Sequence, residues 1–403
     1  MEKILICTNH FYPESFRCND IAFELAQKGY DVTVLTAIPD YPKGKIYEGY
    51  GFFRRRIETF RGVKIMRSFI IPRGNGNRIR IALNYLSFSF SSIIWSLFLA
   101  FFKRFDKILV HETSPVMIGI PAIVVKKIQR IPLLFWVLDL WPESLQAGGG
   151  IDNERILRIF GRLSNWIYHN SDKILVGSKG FEQLINAKGN FADKIVYFPN
   201  WADLSLEEAE YTVVPSIPKG FQVMFAGNIG EAQDFEHIME AALLLKENKD
   251  IHFIFVGDGR KRRWAESFCK EHHLHETVYW WGQHPINTMQ SFFEKADVLL
   301  ITLKDMTIFN HTVPSKLQAY MFASKPILAM MNGEVPWIIK EANCGVSVSA
   351  GDYKGLADAI LTLSKMDKKK IQEMGQNGRL FQRAYFTLDK AMNHLCELLD
   401  DKL

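Results

Sequence analysis

Short, nearly unbroken apolar runs recur along this chain, each followed by a stretch with helical spacing. That alternation constrains the fold more than any other feature. A strand buried on both faces shows no polar alternation, and a sheet of such strands needs helices on either side. In the first half, residues 3–8, 31–36, 106–111, 132–138, 173–176 and 194–198 read as strands of this kind. In the second half the runs are 221–227, 251–256, 277–281, 297–301, 326–330 and 345–348. Residues 19–28 place Ile21, Ala22 and Leu25 on one helical face, and Gly29 suits that helix's C-terminal end. Ser178 is placed to cap the helix after 173–176. Strand, helix, strand is a βαβ opening, and its repetition predicts an α/β chain of doubly wound parallel sheets.

A length of 403 residues exceeds one ordinary core, so two domains are expected. The first reads as 1–203 and the second as 220–380. Residues 204–219, acidic and then proline-bearing with weak periodicity, read as the link, and 381–403 as a C-terminal helix. Residues 146–150, Gln-Ala-Gly-Gly-Gly, read as a flexible loop. A net charge of +5 is too mild to argue for a nucleic-acid partner. Five cysteines without a C-x-x-C pair suggest neither a disulfide framework nor a zinc site. The opening residues read as a strand rather than a signal peptide, so a cytoplasmic location is expected.

The stretch 54–102 stands apart. From residue 54 to 80, nine Lys or Arg stand against one acid, Glu58. Residues 83–102 then run almost wholly apolar and aromatic, about long enough to cross a bilayer. Asn84, Ser87, Ser89, Ser91, Ser92 and Ser96 interrupt the run, and strand residues resume at 106. A crossing would put parts of one sheet on opposite sides of a membrane. The reading is therefore a helix of the domain whose apolar side docks on a membrane beside a basic patch. The plainer alternative is a core helix next to a solvated basic loop.

Chemistry gathers where strands end. After 297–301 comes His311-Thr312-Val313-Pro314-Ser315-Lys316-Leu317. Pro314 suits a first helical turn, which would leave the amides of Ser315, Lys316 and Leu317 pointing outward as an anion seat beside the lysine ammonium. The alternative is a capped helix with a solvated lysine. Gly227-Asn228-Ile229-Gly230-Glu231-Ala232-Gln233 and Val256-Gly257-Asp258-Gly259 leave two further strand ends, and glycine lets backbone approach a ligand. Three such turns in one sheet point to a negatively charged nucleotide. No G-x-G-x-x-G is present, so a dinucleotide site of that kind is not expected. Asp139 stands at the tip of the strand 132–138, a poor position for stability and a good one for chemistry; its alternative is an N-cap. The aromatic, charged loop 10–17 leaves the first strand, and His111 ends the third.

These residues, in order, resemble a family 4 glycosyltransferase of the retaining GT-B type. More narrowly they are similar to bacterial fucosamine-type transferases of O-antigen and capsule (lipopolysaccharide, colanic acid) assembly. The resemblance is carried by Phe11-Tyr-Pro-Glu14, Pro39-Asp-Tyr-Pro-Lys-Gly44, Thr113-Ser-Pro115, Asp139-Leu-Trp-Pro-Glu-Ser144, Pro199-Asn-Trp201, the Gly227, Val256 and Pro314 segments, and Asn332-Gly-Glu334. It implies two Rossmann-like domains facing a cleft, with a last helix crossing back to the first. It implies a UDP-sugar donor on the second domain, held by Gly227, Asn228, Gln233, Gly257, Asp258, His284, Thr312, Pro314, Ser315, Leu317 and Glu334. Lys316 would stabilise the leaving diphosphate. Asp139, with Glu143 or Glu14 as alternates, would orient or deprotonate the acceptor hydroxyl. Glu14, Arg17 and His111 would contact acceptor or phosphate, the acceptor being a polyprenyl-diphosphate-linked sugar at the cytoplasmic membrane face.

The pattern departs from the family in three places. The two glutamates usual before the glycine-proline strand are here His311 and Ala319. The usual arginine and lysine beside the diphosphate are Asn228 and about Gln233, and the usual His-Asp is Leu138-Asp139. No metal triad or Asp-x-Asp appears, so neither a metal nor any other cofactor is expected. Two other functions fit the same architecture: a UDP-sugar 2-epimerase, which would need no acceptor, and a non-catalytic membrane scaffold of the assembly machinery.

Overall fold

Each of the twelve runs read above as a strand forms one. In the computed structural model, which describes residues 1–147, 150–216 and 218–401, the strands sort into two compact units. One is Met1–Pro199 with Ala391–Leu403, and the other is Asn200–Lys390. The first holds β1 (Lys3–Cys7), β2 (Asp31–Ala37), β3 (Ile57–Phe60), β4 (Val63–Ser68), β5 (Lys107–Glu112), β6 (Leu133–Val137), β7 (Lys173–Val176) and β8 (Ile195–Tyr197). Among the described residues they make an eight-stranded sheet ordered β3-β4-β2-β1-β5-β6-β7-β8. All neighbours run parallel except β3 and β4.

The second unit holds β9 (Phe221–Ala226), β10 (Ile251–Val256), β11 (Val278–Gly282), β12 (Val298–Thr302), β13 (Ile327–Met330) and β14 (Gly345–Val348). Its order is β11-β10-β9-β12-β13-β14, parallel throughout. Alternate side chains feed two cores. Met224, Ala226, Ile254 and Val256 face one layer, while Val223, Phe225, Phe253 and Phe255 face the other. Both faces are covered, as unbroken apolar strands require.

The β3–β4 hairpin has no counterpart in the sequence reading. It lies in the basic stretch, which hid it. Its tight turn is Arg61-Gly62, both at positive φ, as two-residue hairpin turns demand. The basic stretch is also less solvated than its composition suggests. Arg67 is fully buried, paired with Glu58 and donating 2.9 Å to the Tyr12 carbonyl.

The apolar run is part of a longer helix, Arg78–Phe102, capped by the Asn77 side chain on the Arg80 amide. Its polarity is inverted. Asn84, Ser89, Ser92 and Ser96 are buried, along with Phe88, Leu99 and Ala100. Ile79, Phe90, Phe101 and Phe102 are each more than 70% exposed. The serines do not mark a wet face, as their polarity suggests. Small side chains let this helix lie close to the helix Gly119–Gln129. Their hydroxyls are satisfied by carbonyls: Ser89 on Tyr85, Ser92 on Ser89, Ser96 on Ser92. The helix is long and apolar enough to cross a membrane by length and composition, with 33% of its most apolar window buried. However, β4 before it and β5 after it belong to one sheet.

Two boundaries differ from the sequence reading. Residues 204–219 are not a free link where described: Leu206 joins the second unit's core, the Glu210 amide donates to the Asn287 carbonyl, and the Thr212 amide donates to Ser291 Oγ. The return to the first unit begins at Ala391, within the helix Leu388–Asp400. The helix Lys368–Tyr385 stays with the second unit, Gly375 and Gly378 lying against Ser324 and Cys344. The expected flexible loop 146–150 is described only in part. Gln146 and Ala147 close a short helix, while Gly148 and Gly149 lie outside the described residues, as does Ile217 of the expected link.

Candidate active site

In the second unit the site is built on the carboxyl end of β9. Gly227 follows the strand at φ +132°, and its amide donates 2.8 Å to the Val256 carbonyl. The Ile229 amide donates to the Asp258 carbonyl, and the Gly257 amide to Gly282 at the end of β11. The carboxyl ends of β9, β10 and β11 are thus laced to one another. Gly257 is glycine for this reason. A Cβ there, at φ +144°, would sit 1.9 Å from the Gly227 carbonyl oxygen. The sequence reading assigned its bareness to a ligand; the structure assigns it to the neighbouring turn.

Lys316 opens the helix Lys316–Phe322. Tyr320 anchors that helix to β9, its hydroxyl accepting from the Ala226 amide at 2.8 Å. The Lys316 ammonium donates 2.7 Å to Gln233 Oε1 and lies 3.6 Å from the centroid of the Phe225 ring. Gly227 leaves room for it: a Cβ there would stand 2.8 Å from Lys316 Cε. Thr302, ending β12, donates its hydroxyl to the Gln233 carbonyl and holds this loop in place. Among the described residues no carboxylate pairs with Lys316. Although the residue keeps some solvent contact, burial pushes its pKa well below the ordinary lysine value.

The anion seat proposed around this lysine is smaller than the sequence suggested. The helix begins at Lys316, later than Pro314, and the Leu317 amide donates 3.0 Å to the Pro314 carbonyl. Leu317 therefore offers no free donor. Thr312 turns its hydroxyl onto the Ile308 carbonyl at 2.7 Å. Asp258 is exposed and caps its own turn through the Gly259 amide. His284 puts Nε2 on the Trp281 carbonyl and its ring on Phe292. Asn228 is exposed, and Glu334 begins the helix Glu334–Glu341. The structure thus brings Gly227, Gln233 and Lys316 together, with Phe225 as the member the sequence did not single out.

In the first unit the residues expected to meet an acceptor behave differently. Glu14 is buried, and both its carboxylate oxygens are engaged. Its Oε1 accepts from the Asp40 and Tyr41 amides at 2.8 and 2.7 Å, and its Oε2 meets His10 Nδ1 at 2.7 Å. It clamps the loops after β1 and β2 rather than presenting a charge to substrate. His10 in turn meets Arg73 Nη2 at 2.8 Å, and Arg73 lies over Tyr41 and Tyr85. His111 is buried with Nδ1 on Thr8 Oγ1, and burial, aided by His10 and Arg17, lowers its pKa to about 3. It is neutral and inside, not a phosphate contact. Glu143 is paired with Lys188 at 2.7 Å, which makes it a poor alternate base.

Asp139 stands at the edge of an open space. It lines a largely apolar cavity of about 520 Å³ with Ser114, Tyr85 and Trp141. Ser114 donates its hydroxyl to Asp139 Oδ2 and accepts from Trp141 Nε1 at 2.8 Å. Behind it stands Glu112, fully buried, accepting from the Ser114 and Asp139 amides at 3.0 and 3.1 Å. Burial, with Asp139 nearby, raises the Glu112 pKa well above the carboxylate range. Sequence reasoning missed Glu112; an acid closing an otherwise apolar strand beside a noted histidine was the available signal. Among the described residues no group of His, Cys, Asp or Glu could hold a metal ion.

Two doubly wound parallel-sheet units, with functional turns at carboxyl strand ends, make this the GT-B architecture of sugar-transferring enzymes. The sequence matches the models "Glycosyl transferases group 1" over residues 209–381 and "Glycosyl transferase 4-like domain" over 15–201. It is 30% identical over 320 residues to the probable glycosyltransferase WbjE of Pseudomonas aeruginosa, covering 75% of this chain and 77% of that one. It is 23% identical over 332 residues to the putative colanic acid biosynthesis glycosyl transferase WcaI of Escherichia coli K12, covering 78% and 80%. Its fold is similar to Anabaena Alr3699/HepE, solved in complex with UDP and glucose, at TM-score 0.70, 14% identity and full coverage of both chains. The chain belongs to the family 4 type of GT-B glycosyltransferases.

Proposed function

We propose that this protein transfers a sugar, an N-acetylated hexosamine or deoxyhexosamine such as N-acetylfucosamine, with retention from a UDP-sugar to a polyprenyl-diphosphate-linked acceptor in surface-polysaccharide assembly. The observation that carries the reading is Lys316. It is a half-buried ammonium with one neutral hydrogen-bond acceptor, one aromatic face and no carboxylate among the described residues. A charge largely withdrawn from water without a counter-charge is costly, and a diphosphate bound beside it would supply one. As the bond from anomeric carbon to diphosphate oxygen breaks, that ammonium would hold the charge developing on the leaving oxygen. In a front-face route the same oxygen takes the acceptor hydroxyl's proton. Asp139, oriented by Ser114, would align that hydroxyl.

The family resemblance and the UDP found with HepE support the donor, and the name of WcaI supports polysaccharide assembly. The inverted helix Arg78–Phe102 supports a place on the cytoplasmic membrane surface, its exposed aromatic side next to a basic stretch. A panel of nucleotide sugars incubated with a lipid-diphosphate acceptor, read by mass spectrometry, tests the proposal. Hydrolysis or epimerisation of the donor with no product on lipid would refute it.

A further inference from the structure

The cavity beside Asp139 has a composition that sugar transfer alone does not explain. Its polar lining comes from the strand ends, Thr113, Ser114 and Asp139, and from Ser144 in the short helix after them. Its opposite wall is the first half of the helix Arg78–Phe102, where Arg78, Ile81, Ala82, Tyr85 and Leu86 fall at helical spacing on one face. Leu86 belongs to two surfaces at once. It lines the cavity, and it is 57% exposed among the apolar residues of the helix's outer side. The cavity mouth is therefore continuous with the exposed apolar face. Arg78, the first residue of the helix, puts a cation at that mouth.

We propose that this cavity admits an amphiphile from the membrane surface, the hydrocarbon next to its diphosphate lying against the helix wall and its hydroxyl-bearing head reaching Asp139. The inference rests on the transferase reading above and adds to it where the lipid part binds. Three features select this occupant. A mostly hydrocarbon lining with a few convergent polar groups suits a ligand with one apolar and one polar end. Arg78 matches an anionic group set between those ends. The opening lies on the face that would meet the bilayer, so the chain need not cross water to enter.

Ala82 supplies the test, because it lines the cavity yet is itself exposed, so a larger residue there fills the space without disturbing the core. Transfer to a sugar diphosphate carrying a farnesyl chain is compared with transfer to one carrying a methyl group, without membranes or micelles. Burial of part of an isoprenoid predicts at least a roughly tenfold preference in kcat/KM for the farnesyl acceptor. In Ala82→Trp that preference collapses while UDP affinity holds; in Leu83→Trp, one residue along and outside the cavity, it persists. A preference absent from the parent protein, or intact in Ala82→Trp, overturns the inference and leaves the transferase reading standing. If neither acceptor is a substrate, that reading fails instead, and calorimetric titration of farnesyl diphosphate decides the cavity separately. Saturable binding lost in Ala82→Trp supports it, and no binding, or binding unaltered by the substitution, overturns it.

Discussion

Replacing Lys316 by methionine separates charge from packing at the proposed phosphate seat. The methionine chain can still lie on Phe225 and beside Gly227, so the socket stays filled. What disappears is the ammonium and its 2.7 Å bond to Gln233. A charge-assisted contact to a bound diphosphate contributes about 1.5–3 kcal/mol. Losing it weakens UDP binding by roughly 10- to 150-fold. Stability moves the other way. Burial lowers the folded-state pKa of Lys316 below the value of 10.5 that applies when unfolded. Between the two values the unfolded chain holds more protons, so folding is penalised at neutral pH and stability rises as pH climbs through that window. Lys316→Met removes the penalty and flattens the rise. Calorimetric titration with UDP, alongside urea unfolding over a range of alkaline pH, reads both effects. UDP affinity within about twofold of the parent, or a variant that loses stability together with affinity, would refute the argument.

Three further outcomes are expected. Asp139→Asn lowers turnover far more than UDP affinity, measured by steady-state kinetics beside titration; an equal loss of both contradicts its role toward the acceptor. Gly257→Ala forces a Cβ onto the Gly227 carbonyl at a positive φ and costs on the order of 3 kcal/mol, with UDP binding lost alongside; an unaltered unfolding midpoint would show that the turns can part freely. His111, held neutral with a pKa of about 3 against 6.5 when unfolded, makes stability fall as pH drops through that interval, by at most ~5 kcal/mol. His111→Gln should reduce that acid-induced loss in denaturant titrations at successive pH values, and an unchanged profile would contradict it.

The α/β architecture could be read from local pattern because parallel strands covered on both faces cannot hide their apolarity. Lys316, Gln233 and the glycine turns could be found for a similar reason, since they follow strand ends that the pattern marks. The β3–β4 hairpin could not, because its short strands alternate and sit among arginines. Which face of the long helix the serines take could not be read from the run they interrupt: their own helix's carbonyls satisfy their hydroxyls, and their smallness serves helix packing.

What the chain's order of residues determined by itself is the backbone grammar: which segments extend, which coil, and where they turn. Only the folded molecule decided partners. Glu14 became a clamp through amides 26 and 27 residues away, and Lys316 found Gln233 across 83 residues. Backbone preference is settled by neighbours along the chain. A side chain's charge, protonation and role depend instead on groups that distant segments bring within a few ångströms, where low dielectric makes each contact count.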